Sequence, residues 1–352
     1  MAFQMIDRLI DYSERGLIPD SLIRLGIRRL LRKRLRQVNQ GTREANLAQT
    51  DLWVEQFSAG AIAVLPEKAN EQHYEVPQEL FQLTLGPRLK YSSCFFPEPS
   101  TSLQDAEITA LTQTCERAEI ADGMSVLELG CGWGSLSLWM AQQYPNSKLT
   151  VVSNSSSQRR FIEAKAKQYG VAKNLKVITC DINDYDAESK FDRVVSVEMF
   201  EHVRNHNMLM RRISGWLKPQ GKLFVHVFCH KELTYPFQDD QKDDWMSRYF
   251  FSGGIMPGKE LLLRFQNDLE ALEQWTWSGT HYQRTCEAWL ENMRANREQI
   301  MPILDSTYGH SEATRWFNRW KMFYLACSEL FGFNGGNEWM VGHYLFGNVH
   351  KN

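Results

Sequence analysis

Five short apolar segments, at 124–129, 148–152, 176–179, 193–197 and 222–228, are separated by helix-length sequence or a turn such as Pro219-Gln-Gly221. This alternation leaves few folds open. Repeated strand–helix alternation predicts α/β architecture with a parallel, doubly wound sheet, because each parallel strand needs a crossover before the next. A late strand at 269–277, helices to about residue 330 and a last strand at 339–346 would complete the sheet.

The first strand runs into Glu128-Leu-Gly-Cys-Gly-Trp-Gly134. Gly130, Gly132 and Gly134 permit a tight turn and a close approach of ligand to backbone. A nicotinamide dinucleotide site is one reading of such a turn. Two features oppose it: the spacing is not G-x-G-x-x-G, and the second strand ends in Val152-Ser-Asn-Ser, without the acid that would hold a ribose.

Composition narrows the function classes. Of 352 residues 43% are hydrophobic and 23% charged, as in an ordinary globular protein. Forty basic residues against forty-two acidic give a net charge of −2, which opposes a dedicated nucleic-acid binder. Seven cysteines without a C-x-x-C pair suggest neither a disulfide framework nor a zinc site, and no segment approaches the ~18 uninterrupted apolar residues of a membrane span. A cytoplasmic protein is expected. Residues 24–36 carry seven basic and no acidic residues, interleaved with Ile27, Leu30, Leu31 and Leu35 at helical spacing. Such a helix either caps the core with a solvated basic face or makes peripheral contact with an anionic membrane.

The motifs, taken together, support a family reading. In order along the chain stand Tyr91-Ser-Ser-Cys-Phe-Phe96, the glycine turn, Ser153-Asn-Ser-Ser-Ser-Gln158, Ser196-Val-Glu-Met-Phe-Glu-His-Val203 and Tyr249-Phe-Phe-Ser-Gly-Gly-Ile-Met-Pro257, with Trp339-Met-Val341 near the end. Over about residues 10–346 the sequence resembles the coclaurine N-methyltransferase family of class I S-adenosylmethionine-dependent methyltransferases. More distantly it is similar to cyclopropane-fatty-acid synthases and mycolic acid methyltransferases. The resemblance implies a Rossmann-like, mostly parallel seven-stranded sheet. It further implies a helical N-terminal cap (1–105), a catalytic domain (106–352) and an inserted lid at about 230–268.

It also implies S-adenosylmethionine as cofactor, held by Tyr91, Ser92, Glu128, Gly130, Gly132, Gly134, Ser153, Asn154, Gln158, Asp181 and Ile182. Catalysis falls to Glu198, Glu201 and His202. The lipid enzymes usually carry a small or neutral residue at the position of Glu198, so its presence favours a small-molecule amine as substrate. Acceptor contacts are expected from Tyr74, Phe250, Tyr282 and Trp339, with Tyr249, Phe251 and Tyr344 nearby.

The chemistry suits these residues. An alkylamine with a pKa near ~10 is protonated at neutral pH, and exposing its lone pair costs about 4 kcal/mol. Carboxylates at a strand's carboxyl end attract the ammonium, and an imidazole can take its proton. His202 is therefore expected as base, Glu201 as orienter or second base, and Glu198 as amine anchor. The spacing of the three would also permit chelation, but no second His/Asp/Glu cluster accompanies it, so no metal is expected.

Two alternatives differ in class. One is carbon methylation or cyclopropanation of an unsaturated lipid. The cyclopropane-forming pattern uses a bound bicarbonate and places a Cys where Ser93 stands; its other anion-site residues have counterparts in Glu201, His226 and Tyr282. The other is a non-catalytic cofactor-binding protein, against which the retained Glu198, Glu201 and His202 speak.

Overall fold

The computed structural model describes residues 2–63, 77–237, 245–250 and 253–349. The chain enters through α1 (Ala2–Glu14), α2 (Asp20–Val38), α3 (Arg43–Ser58), α4 (Gln78–Thr84) and α5 (Leu103–Arg117). The alternating region then forms β1 (Ser125–Leu129), α6 (Ser135–Gln143), β2 (Lys148–Ser153), α7 (Ser156–Gln168), β3 (Leu175–Thr179), β4 (Phe191–Val197), α8 (His206–Trp216) and β5 (Leu217–His230). Next come β6 (Tyr235–Pro236), α9 (Trp245–Tyr249), β7 (Ile255–Met256) and β8 (Leu269–Trp277). Finally α10 (Gly279–Ala295), α11 (Arg297–Tyr308) and α12 (His310–Phe331) lead into β9 (Trp339–Asn348).

Seven strands form one sheet in the order β3-β2-β1-β4-β5-β9-β8. β1 to β5 pair in parallel, and β9 runs antiparallel between β5 and β8. The expected architecture is present, and its apolar strands are covered on both faces, as parallel strands require. The chain leaves β1 toward β2 and β3, then returns to place β4 on β1's other side. At this switch point the carboxyl ends of β1 and β4 open a crevice.

The helices at the two ends of the sequence meet in space. α1 and α2 pack on α12, and α4 packs on α10 and α11. One buried cluster joins Ile23 and Phe81 to Trp289, Trp320 and Phe323, and reaches Trp133 and Phe161 beside the crevice. Burying each such aromatic side chain stabilises by about 2–3 kcal/mol. The stretch 279–331 is thus a second helical wall, beyond the segment 230–268 expected as the lid.

The basic helix caps the core, and its basic face is partly paired rather than wholly solvated. Ile23 is buried, and Ile27, Leu31 and Leu35 pack on the same cluster. Arg24 bridges Glu287 and Glu329, at 2.7 and 3.0 Å, tying α2 to α10 and α12. Among the described residues no helix is long and apolar enough to cross a membrane.

Candidate active site

The turn after β1 is built as its glycines suggest. The backbone N–H groups of Gly130 and Cys131 both donate to the Val152 carbonyl, at 3.0 and 3.1 Å, bending the chain back over β2. Gly130 has φ +76°, and a Cβ there would lie 2.8 Å from Met199. Gly132 differs: its φ is +51°, but among the described residues nothing stands within 4 Å of the position a Cβ would take. That open face is a cradle for a ligand. Glu128, buried at the end of β1, accepts from Ser137 Oγ, and burial pushes its carboxyl up to about 8. A ligand hydroxyl or ammonium there would stabilise its ionised form.

The second element is the turn after β4. Glu198 sits in the left-handed region at φ +48°, a conformation costing about 1 kcal/mol for a residue with a Cβ. Its own N–H donates to the His226 carbonyl at 2.8 Å. Its buried carboxylate accepts from Tyr282 Oη (2.6 Å), Ser93 N–H (3.0 Å) and His226 Nε2 (3.2 Å). One helical turn at Phe200–His202 carries Glu201 and His202 to the same cavity. Glu201 Oε2 is buried without a hydrogen-bond partner.

Burial dominates the electrostatics. It raises Glu198's proton affinity, opposed by the buried Lys90 and the Tyr282 hydroxyl. It raises that of Glu201 well above the usual carboxylate range, with Glu198's charge adding to the effect. It pushes His202 down to about 4, so this imidazole is neutral at physiological pH. Lys90 is fully enclosed, donating to Ser92 Oγ and the Ser93 carbonyl at 2.6 Å each.

The two turns line one continuous cavity of about 350 Å³. Gly130, Gly132 and Trp133 line it beside Glu128; Glu198, Glu201 and His202 line it beside Tyr282; and Ile23, Ile27 and Leu30 of α2 close it. The donor groups of Gln158 (Nε2), Trp133 (Nε1) and Ser135 (Oγ) that border it are buried without partners. Orphaned donors beside an open glycine cradle fit a polar ligand with several acceptors.

Comparison with known proteins agrees with this geometry. The family model for mycolic acid cyclopropane synthetase matches residues 65–337. A curated (S)-coclaurine N-methyltransferase of Thalictrum flavum subsp. glaucum is 40% identical over 97% of this chain and 96% of its own. The crystal structure of a coclaurine N-methyltransferase bound to N-methylheliamine and SAH superposes with a TM-score of 0.94 at 38% identity, covering 98% of this chain and 100% of that one. The chain belongs to the coclaurine N-methyltransferase family. The cyclopropane-fatty-acyl-phospholipid synthase of Escherichia coli (strain K12) is a more distant relative, 30% identical over 77% of this chain and 66% of its own.

On this family scaffold the expected site residues divide into groups. Tyr91, Ser92, Glu128, Gly130, Gly132, Gln158, Glu198, Glu201, His202 and Tyr282 all line the cavity. Ser153 stands behind it, donating to Gln158 Oε1 at 2.7 Å and so fixing the amide whose nitrogen is buried without a partner. Gly134 begins α6, and Asp181 caps its own turn by accepting from Asn183 N–H at 2.7 Å. Asn154 and Ile182 are likewise not among the lining residues.

Phe250 and Trp339 stand one layer back. Phe250 stacks on Phe323 with centroids 4.4 Å apart, and Trp339 Nε1 donates to Tyr235 Oη at 3.1 Å; Phe323 and Tyr235 themselves meet the cavity. Tyr249 packs under Arg319, and Tyr344 donates to the Lys259 carbonyl, both outside the lining. Tyr74 and Phe251 lie outside the described residues. The structure adds Lys90, Trp133, Trp289 and Phe323; Lys90 immediately precedes the Tyr91 motif and Trp133 stands inside the glycine turn, whereas Trp289 and Phe323 had no sequence signal.

Proposed function

We propose that this chain is an S-adenosylmethionine-dependent N-methyltransferase acting on a small-molecule amine. The observation that carries the reading is the seat of Glu198. Its carboxylate takes the Ser93 N–H, the Tyr282 hydroxyl and a His226 nitrogen. These positions correspond to those that the cyclopropane-forming pattern uses to hold bicarbonate. A side-chain carboxylate already fills the place, so the site offers a fixed negative charge to a cation rather than a vacancy for an anion.

When bound, S-adenosylmethionine supplies an electrophilic methyl group on a sulfonium. Gly132's open face, Gln158, Ser135 and Glu128 are the groups suited to hold it. Glu198, whose ionised form its three donors and Lys90 favour against the opposing effect of burial, anchors the ammonium of the acceptor. Glu201 takes the ammonium proton, which frees the nitrogen lone pair. Its unpartnered oxygen and raised proton affinity support this role, whereas His202, held neutral by burial, is a weaker base. The roles expected of Glu201 and His202 thus change places. Tyr282, Trp289, Phe323 and Phe331 give the cavity an aromatic wall that suits a cation and excludes water.

Membrane contact is proposed only for the outer face of α2. Leu22 and Leu25 are exposed there, sharing a face with the exposed Arg29, Arg32 and Arg36. Co-sedimentation with anionic vesicles that is lost in a Leu22→Ser/Leu25→Ser variant supports it; absence of co-sedimentation refutes it.

Calorimetric titration of arylalkyl amines and of unsaturated phospholipid into the SAH-loaded protein tests the main reading. Saturable binding of an amine, lost in Glu198→Ala, is expected. Binding of the phospholipid alone would overturn it.

A further inference from the structure

A line of buried hydrogen bonds leads away from Glu198, through the sheet, to the far end of α5. His226 Nε2 meets Glu198 Oε1 at 3.2 Å, and His226 Nδ1 meets His343 Nε2 at 2.8 Å. His343 Nδ1 in turn meets an Arg117 guanidinium nitrogen at 2.6 Å. The two imidazoles are fully buried and directly opposite one another on β5 and β9. Arg117, the last residue of α5, lies over the rings of Trp275 and Trp277, at 5.2 and 5.7 Å.

Donor chemistry fixes the direction of this line. A guanidinium only donates, so His343 Nδ1 must accept. A neutral imidazole has one donor and one acceptor, so His343 Nε2 carries a hydrogen and donates to His226 Nδ1. His226 Nε2 then carries the hydrogen that Glu198 accepts. Burial and the cations Lys90 and Arg117 hold both imidazoles neutral. The ionised Glu198 asks for the same tautomer pair from the other end. Without Arg117 the reverse pair, with a lone pair at His226 Nε2, becomes available whenever Glu198 is protonated and donates to it. Arg117 thus holds the line in the form that suits only the ionised carboxylate.

We infer that Arg117 is a remote positioning residue for the amine site: through His343 and His226 it sets the hydrogen-bond polarity that delivers an N–H to Glu198. The inference rests on the reading of Glu198 as ammonium anchor. Other groups act on Glu198 as well: Lys90 from the segment before α5, Tyr282 from α10, and Glu201 and His202 from the turn after β4. Two buried thiols, Cys94 and Cys286, stay protonated beside it. Lys90 acts on the two imidazoles through its charge alone, and none of these groups hydrogen-bonds to either ring, so they form a constant background when Arg117 is changed.

The test is Arg117→Met, which keeps an apolar stem against the two tryptophans, studied in the full chain with Arg117→Lys as the conservative rescue. Nitrogen-15 NMR of the imidazoles reads the tautomers without reference to activity. Both His226 and His343 are expected as Nε2–H tautomers in the wild type and in Arg117→Lys, and as mixtures in Arg117→Met on the acidic limb where Glu198 takes up its proton. For amine methylation, kcat/KM at neutral pH should fall roughly tenfold in Arg117→Met, with its acidic limb moved up about one pH unit. Adding His343→Leu to Arg117→Met should cost no more than His343→Leu alone. An Nδ1–H tautomer of His226 in the wild type, or an unchanged tautomer in Arg117→Met on the acidic limb, would overturn the inference. If no amine is methylated but the tautomers respond, the relay stands and the substrate reading fails.

Discussion

Glu201→Gln separates proton transfer from folding. The carboxylate is buried, and its Oε2 makes no hydrogen bond, so an amide of the same shape orphans no protein donor at that atom. Stability should therefore change by less than about 1 kcal/mol. Activity should change far more. If Glu201 removes the ammonium proton inside the site, the amide variant must wait for amine that arrives neutral. For an amine of pKa near ~10 that fraction is about one in a thousand at pH 7, equivalent to roughly 4 kcal/mol. The expected loss in kcat/KM at pH 7 is about 10²–10³-fold, within the range of general base catalysis. The loss should shrink about tenfold per pH unit toward pH 10, as solution supplies the free base. Wild type should show an acidic limb nearer neutrality than an ordinary carboxylate, because burial and Glu198 raise Glu201's proton affinity. Initial rates with labelled S-adenosylmethionine across pH 6–10 read all of this. A Glu201→Gln enzyme within threefold of wild type at pH 7, or a loss constant with pH, would refute the reasoning.

Other perturbations probe the remaining parts. Glu198→Ala strands the Ser93 N–H, the Tyr282 hydroxyl and a His226 nitrogen, and denaturant unfolding should show about 3 kcal/mol or more of lost stability, against about 1 kcal/mol for Tyr282→Phe. Gly132→Ala meets no atom of the described residues within 4 Å but fills the cradle, so it should fold with about 1 kcal/mol of backbone strain and bind S-adenosylmethionine at least tenfold more weakly by calorimetry. His206, buried against the Phe200 carbonyl at 3.0 Å, has its imidazole pushed down to about 4 by burial. The unfolded chain takes up that proton first, so its contribution is complete above about pH 6.5 and is lost as pH falls toward 4. Chemical denaturation across that window should show a slope that His206→Leu flattens.

The parts of this protein legible in sequence are those set by short-range rules. Strand periodicity and the glycine turn placed β1 to β5, and with them the crevice, because parallel strands and tight turns impose local patterns. Glu198, Glu201 and His202 were legible since they share one pentapeptide at a strand end. The α10–α12 wall was not, because helical periodicity states that a face is buried but not against what. Phe250 and Trp339 show the same limit: an aromatic one layer behind Phe323 or Tyr235 has the same composition signal as one facing ligand. Arg117 and His343 lie 226 residues apart, and only sheet pairing of β5 with β9 joins them to Glu198.

The position of the transferred methyl tests the central claim most directly. The protein is given carbon-13 methyl-labelled S-adenosylmethionine with an arylalkyl amine and unsaturated phospholipid vesicles in one reaction, and the products are examined by NMR. The account predicts label as an N-methyl carbon on the amine and none in the acyl chains. Label in the acyl chains, with the amine returned unmodified, would contradict it.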